Sequence, residues 1–404
     1  MPPLVIVGAG QAAAQLIASL RQDGWQEPIV LLGEEPHPPY QRPPLSKKYL
    51  AGELSTDRLY VKPASFYEQA GVVLRLGIRV AAIDRVARTV VLADGTTQAY
   101  STLVLATGSR PRPLALPGAG LAGILSLRTL ADVETIRDRL AGAKSLVVVG
   151  GGYIGLELAA VAVRRGVAVT VLEQAPRLMA RGVGPAVSTF YARLHAAEGV
   201  RVLTGVRVTG FEGGDRVEAV RAEDGLHPAD LVVVGVGALP NVELAEAAGL
   251  AVDNGIVVDA QCRSSDPAIF AIGDCASQHH ALVERRLRLE SVHNALEQGR
   301  VAAAAIAGKP APALQVPWFW SDQYDVKLQM VGLAEGHDRA VVRGDPLLGR
   351  SFAVFYLRDG RLVATDAVNR APEFMLSKQL IADGARPDPA RLADEAVAVK
   401  DLRN

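Results

Sequence analysis

Leu4-Val5-Ile6-Val7-Gly8-Ala9-Gly10-Gln11-Ala12-Ala13 joins a strand, a turn and a helix within ten residues. The apolar run Leu4 to Val7 predicts a buried strand, and the Ala-rich amphipathic stretch Gln11 to Gln22 predicts a helix. Gly8 and Gly10 permit the tight turn between them and let backbone N–H groups at the helix N-terminus approach a pyrophosphate. The third fingerprint position is Ala13, which the pattern tolerates. A second strand is expected over Ile29 to Leu32, and Glu34 follows it, 26 residues after Gly8, where it could accept a hydrogen bond from a ribose.

The same design recurs. Leu146 to Val149 reads as a strand, Gly150-Gly151-Gly152-Tyr153-Ile154-Gly155 as the turn, and Tyr153 to about Arg165 as the helix. The next strand is expected over Val167 to Leu172 and ends at Glu173, 23 residues after Gly150. An acid there suits the adenosine 2′-hydroxyl of NAD and repels the 2′-phosphate of NADP. Gln174, not an arginine, comes next, so NADH is favoured. A lone glycine fingerprint also arises as a plain turn. Two of them, each between strand and helix and each with an acid after the following strand, imply two dinucleotides, FAD plus NAD(P)H.

Short β-branched runs alternating with Ala-rich stretches predict βαβ units and a mostly parallel sheet. The length of 404 residues suits two to three domains. Lys plus Arg balances Asp plus Glu at 43 each, which argues against nucleic acid or an anionic membrane as the main partner. No apolar run approaches the ~20 residues that span a bilayer. Apolar structure from Leu4 leaves no room for a cleavable leader, and Cys262 and Cys275 alone make a disulfide framework or a metal cluster implausible. A cytoplasmic protein is expected. After about residue 315 the texture changes: Pro317-Trp318-Phe319-Trp320 opens a region with strand-like runs at Ser351 to Leu357 and Leu362 to Asp366, then a helix from Glu373 to Ala382. This reads as a smaller α+β domain.

Several segments in fixed order carry a resemblance. They are Arg42-Pro43-Pro44-Leu45-Ser46-Lys47, Ala106-Thr107-Gly108-Ser109-Arg110-Pro111, the second fingerprint running into Gly155-Leu156-Glu157, Ala271-Ile272-Gly273-Asp274, and Trp318-Phe319-Trp320-Ser321-Asp322. Essentially the whole chain resembles the FAD-dependent, NADH-linked ferredoxin reductases of bacterial oxygenase systems, the putidaredoxin reductase-like group of the pyridine-nucleotide oxidoreductases. The resemblance implies an α/β fold with two Rossmann-like nucleotide-binding domains, glutathione-reductase-like, plus a smaller α+β C-terminal domain. It places a first FAD-binding part at residues 1–109, the NAD-binding domain at 110–238, a second FAD-binding part at 239–314 and the C-terminal domain at 315–404.

By the same resemblance FAD, held non-covalently, would meet Gly8, Gly10 and Ala13 under its pyrophosphate, Glu34 at the ribose and Asp274 at the ribityl chain. Arg42, Lys47, Thr107, Gly108 and Arg110 would also reach it, and Trp320 would lie against the isoalloxazine. NADH would meet Gly150, Gly152, Ile154, Gly155, Glu173 and Gly237. The implied partner is a [2Fe-2S] ferredoxin serving a haem-thiolate monooxygenase, and the implied state a monomer. A Rieske-type dioxygenase, a rubredoxin system and a redox sensor like apoptosis-inducing factor are the competing readings. Disulfide reductases of the wider group carry a redox cysteine pair after the first βαβ unit; Tyr40 to Lys48 holds no cysteine, and Cys275 reads as a packing residue.

Hydride transfer asks the protein chiefly to orient two rings and exclude water. Lys47 is the candidate for a positive charge near the flavin, with Glu157 holding it; the plainer reading is a surface lysine and an acid near a helix N-terminus. A core aromatic is the plainer reading of Trp320, but the Pro317-Trp318-Phe319-Trp320 setting and the resemblance favour a flavin-facing position. Arg285-Arg286-Leu287-Arg288, the densest basic cluster, reads as either a solvated strand face or a docking patch for an acidic ferredoxin. His293 reads as structural as readily as flavin-facing.

Overall fold

The computed structural model describes residues 2–403. The chain divides into two compact units, each assembled from three segments: Met1–Gln41, Thr56–Arg110 and Ala238–Gln315 form one, and Arg42–Ser55, Pro111–Gly237 and Val316–Asn404 form the other.

The first unit is built on a five-stranded parallel sheet in the order Ile269–Ala271, Thr102–Leu105, Leu4–Val7, Ile29–Gly33, Val72–Leu76. Leu4–Val7 is its central strand and is wholly buried. A strand in that position needs apolar residues on both faces, which is why it reads as an unbroken run rather than an alternation. Leu4 and Ile6 join Leu16, Ile17, Leu20 and Ala302 in one core, while Val5 and Val7 join Leu103, Leu105 and Tyr100 in another. The helix Gln11–Gln22 follows the central strand and presents its buried side, Ala13, Leu16, Ile17 and Leu20, to the first of these cores. The helix Val292–Ile306 contributes Ala295, Ala302 and Ala303 to the same core. Two small three-stranded sheets also belong to this unit: Val80–Asp84, Thr89–Leu92 and Thr97–Ala99 form an antiparallel one, and the other is mixed, Ile256–Val258 running parallel to Ala276–His280, which pairs antiparallel with Arg285–Leu287.

The second unit repeats the parallel theme in the order Arg201–Thr204, Ala168–Glu173, Ser145–Val149, Leu231–Val234, Ile124–Leu125. Ser145–Val149 leads through the glycine turn into the helix Tyr153–Arg164. The same unit holds a five-stranded antiparallel sheet, Trp318–Gln323, Val326–Gly332, Arg361–Val368, Phe352–Arg358, Arg339–Gly344, and the helix Ala371–Ala382. That helix begins two residues earlier than its pattern suggests, because Pro372 occupies its first turn, where a missing N–H costs nothing. No helix among the described residues is long and apolar enough to cross a membrane.

Candidate functional site

The two glycine turns share one backbone shape. Gly8 and Gly150 both hold positive φ, +109° and +108°. A Cβ at Gly8 would stand 2.2 Å from the Ala106 carbonyl oxygen, and one at Gly150 would stand 2.4 Å from that of Gly235. In each copy the blocking carbonyl belongs to the residue just after the neighbouring strand, so the turn closes against the sheet in the same way. The helices that follow start at Gly10 and Gly152, and neither has a side chain capping its first N–H groups. A Cβ added at Gly10 would meet nothing within 4 Å, and one at Gly152 only the Gly235 oxygen at 4.0 Å. Unsatisfied N–H groups beneath open space are what a pyrophosphate requires, so both turns fit a dinucleotide. At the third position a Cβ on Gly155 would lie 2.5 Å from the Gly150 oxygen, whereas Ala13 is accommodated and fully buried.

In the first unit, Glu34 is exposed beyond its strand, 4.0 Å from Arg79. The Tyr40 hydroxyl donates to the adjacent Glu35 at 2.5 Å. Asn241 clamps the Thr107-Gly108 turn. Its amide donates to the Thr107 carbonyl at 2.8 Å, its backbone N–H to that of Gly108 at 3.0 Å, and its own carbonyl accepts from the Thr107 hydroxyl at 2.7 Å. Arg110 pairs with Asn241 at 2.7 Å and Glu243 at 2.6 Å. Ser109 donates to Asp274 at 2.9 Å, and Gln298 accepts from the Gly273 N–H at 2.8 Å, fixing the loop that carries Asp274. Asn241 and Gln298 belong to no motif and were not foreseen.

Both cysteines are free and buried, Cys262 in the core on one side of the sheet and Cys275 in the other. Burial pushes both thiols up, so neither is poised as a thiolate. Within Arg285–Arg288, Arg286 donates to the Ser277 carbonyl at 2.7 Å, and Arg288 donates to the Asp274 carbonyl at 3.2 Å and pairs with Glu290 at 2.5 Å. These two guanidiniums tie loops of their own unit, while Arg285 on the same strand is exposed. His293 is buried, its Nε2 lying 3.5 Å from Gln315 Oε1.

In the second unit the short 3-10 turn Pro43–Ser46 delivers Lys47, whose Nζ lies 2.8 Å from Glu157 Oε1. Lys47 retains 15% of its side-chain exposure and Glu157 only 4%. The Ser46 hydroxyl donates to Glu157 Oε2 at 2.5 Å and Ser321 to Oε1 at 2.6 Å. Burial drives the Glu157 carboxyl upward, and Lys47, followed by the two hydroxyls, opposes it without cancelling it. Arg42 is half-buried and donates to the Arg128 carbonyl at 2.7 Å. Trp320 is half-buried, with Trp318 at 5.4 Å and Phe319 at 6.3 Å between ring centres. At the second glycine turn Glu173 accepts from the Gly151 N–H and the Ala175 N–H, both at 2.6 Å, so it braces the turn. Ile154 projects from the same turn, 43% exposed. Gly237, in the left-handed region at φ +105°, accepts from the Arg112 N–H at 2.9 Å.

Comparison with known proteins agrees with this geometry. The pyridine nucleotide-disulphide oxidoreductase family matches residues 2–299, and the reductase C-terminal family matches residues 318–403. Putidaredoxin reductase CamA of Pseudomonas putida is 47% identical over 99% of this chain and 96% of its own length. The solved covalent putidaredoxin reductase–putidaredoxin complex superposes with a TM-score of 0.96 at 47% identity, covering 99% of this chain and 98% of that one. The ferredoxin reductase for the CYP199A2 system of Rhodopseudomonas palustris superposes with a TM-score of 0.95 at 44% identity over the full length of both chains. With two nucleotide cradles, no reactive cysteine pair and full-length likeness to these enzymes, the chain belongs to the pyridine nucleotide-disulphide oxidoreductases, in the group of ferredoxin reductases that includes putidaredoxin reductase.

Proposed function

We propose that this chain is an NADH:ferredoxin oxidoreductase that draws hydride from NADH and releases electrons singly to a [2Fe-2S] ferredoxin, which serves a haem-thiolate monooxygenase. The observation that carries the reading is the pair of matching glycine turns, each ending in an uncapped helix N-terminus. FAD, when bound, supplies the exchange between a two-electron donor and a one-electron acceptor. The residues of the chain bind, orient and tune.

Gly8, Gly10 and Ala13 form the floor for the FAD pyrophosphate, and Glu34 takes the adenosine ribose. Asp274, held by Ser109 and by the Gln298-braced loop, takes the ribityl chain. Arg42, Thr107, Gly108 and Arg110 complete that set. Gly150, Gly152, Ile154, Gly155 and Gly237 serve NADH. Glu173 has one lone pair on each oxygen engaged by the turn and others free for a ribose hydroxyl. Lys47 presents its ammonium to the flavin, Glu157 anchors it, and Trp320 shields the ring. On this reading residues 1–109 and 239–314 bind FAD, 110–238 bind NADH, and 315–404 form the C-terminal domain of a cytoplasmic monomer.

The test is a purified yellow protein followed in stopped flow. NADH should bleach it, and cytochrome c reduction should be fast only after ferredoxin is added. Lys47→Ala should keep its FAD yet be reduced roughly tenfold more slowly, ~1.4 kcal/mol of barrier. An unchanged reduction rate would remove Lys47 from the mechanism.

A further inference from the structure

Glu157 is the inner end of a hydrogen-bonded chain contained within the second unit. The Tyr324 hydroxyl lies 2.9 Å from His195 Nδ1, and His195 Nε2 lies 2.8 Å from Gln323 Oε1. Gln323 Nε2 donates to Ser321 Oγ at 3.2 Å, and Ser321 Oγ donates to Glu157 Oε1 at 2.6 Å. Glu157 Oε1 is also the oxygen that meets Lys47.

The direction of this chain follows from the donor inventory. An ionised carboxylate only accepts, so Ser321 spends its single hydrogen on Glu157. Ser321 Oγ is then an acceptor and takes an amide hydrogen, which turns the Gln323 oxygen towards His195. His195 must therefore carry its hydrogen on Nε2, leaving Nδ1 to accept from Tyr324. Every donor points towards Glu157. Ser321 and His195 are fully buried and Gln323 is 1% exposed. Three polar side chains in so dry a place are costly unless the network is complete, and this one is. Burial pushes His195 down, so the imidazole remains neutral as the network requires.

We propose that His195 is a positioning residue for the Lys47–Glu157 pair, acting through Gln323 and Ser321 to keep a hydrogen-bond donor aimed at Glu157. The inference rests on the reading of that pair as the charge set against the flavin. The groups facing Glu157 are Lys47 and Ser46 from the Pro43–Ser46 turn, Ser321 from its strand, Tyr153 on its own helix, and Tyr191 from the helix Pro185–Ala197. Those facing His195 are Gln323, Tyr324 and Glu198, with Arg164 stacked 5.1 Å over the Tyr324 ring.

Infrared pH-difference spectra of the FAD-loaded enzyme read this directly, the Glu157 carboxyl band being identified by its loss in Glu157→Gln. His195→Phe removes the donor to Gln323 and should move the Glu157 titration up by about one pH unit, a roughly tenfold change in its protonation equilibrium. His195→Gln, which restores an N–H near the Nε2 position, should return most of that shift. Gln323→Met breaks the next link and should reproduce the upward shift, which keeps the test alive where His195→Phe does not fold. A Glu157 band that titrates as in the wild type in whichever of His195→Phe and Gln323→Met folds would overturn the proposal. An infrared shift alongside an unchanged reduction rate in Lys47→Ala would instead sink the flavin role of the pair and leave the positioning role standing.

Discussion

Lys47→Met isolates the force that holds Glu157 charged. The wild-type pair is 2.8 Å apart, Glu157 retains 4% exposure, and Lys47 retains 15%. Coulomb attraction at that separation and an effective dielectric of 20 is about 6 kcal/mol before desolvation is charged against it. Removing one partner of a buried pair typically costs ~3–5 kcal/mol. The residual exposure of Lys47 and the two hydroxyls still donating to Glu157 favour the lower end, ~3 kcal/mol at pH 8.5. The variant has one escape, which is to protonate the orphaned carboxyl. Burial already raises Glu157, and Lys47 is the largest opposing influence, so its loss raises the folded-state value further. A raised folded value means that stability is retained at low pH and lost as pH climbs through it, so the penalty should shrink from pH 8.5 to pH 6. Thermal unfolding followed by tryptophan fluorescence should show a Tm drop of roughly 6–12 °C at pH 8.5, using ~2–4 °C per kcal/mol for a body of this size. Lys47→Met/Glu157→Gln should recover most of it, because glutamine carries no charge, its single carbonyl oxygen still accepts from one serine, and its amide N–H can donate to the hydroxyl oxygen of the other. Equal Tm values for variant and wild type at pH 8.5, or a drop of the same size at both pH values, would refute the reasoning.

Gly8→Ala should yield protein without flavin, because its Cβ would lie 2.2 Å from a backbone oxygen and φ is +109°; a normal absorbance ratio of flavin to protein after desalting would contradict this. Gly150→Ala should keep the yellow colour but raise the NAD Kd more than about tenfold, ~1.4 kcal/mol, read by titration of the oxidised enzyme with NAD. Asp366 is buried, accepts from the Tyr356 hydroxyl at 2.6 Å, and is pushed up by burial from 3.8 to about 6. Its neutral form favours the fold, so stability should fall by ~3 kcal/mol as pH rises from about 4 through 6. Asp366→Asn cannot titrate, so its Tm relative to the wild type should climb across that interval; a constant difference would rule out Asp366 as the source.

Local signals made the nucleotide cradles legible. Leu4–Val7 and Ser145–Val149 announce themselves because strands buried on both faces must be apolar throughout, and the glycines after them are dictated by carbonyls that would strike a Cβ. Less was legible where a local pattern has two structural meanings. Alternating Arg285-Arg286-Leu287-Arg288 does form a strand over Arg285–Leu287, but alternation cannot disclose that Arg286 and Arg288 turn onto backbone carbonyls of their own unit. The strand over Arg361–Val368 runs past its expected end at Asp366 because Ala367 and Val368 remain paired with Gln329 and Leu328. The site divides along the same line. Lys47 and Glu157 sit in recognisable motifs, but Ser46 reaches Glu157 across 111 positions and Ser321 across 164. A carboxyl's charge state depends on which donors the fold gathers around it, and a serine looks the same in sequence whether its hydroxyl faces water or a buried acid. Motifs therefore name the charged pair, while the hydroxyls, amide and imidazole that tune it emerge only from tertiary structure. Substitutions at Ser46, Ser321, Gln323 and His195 should accordingly alter the protonation of Glu157 while leaving both nucleotide cradles intact.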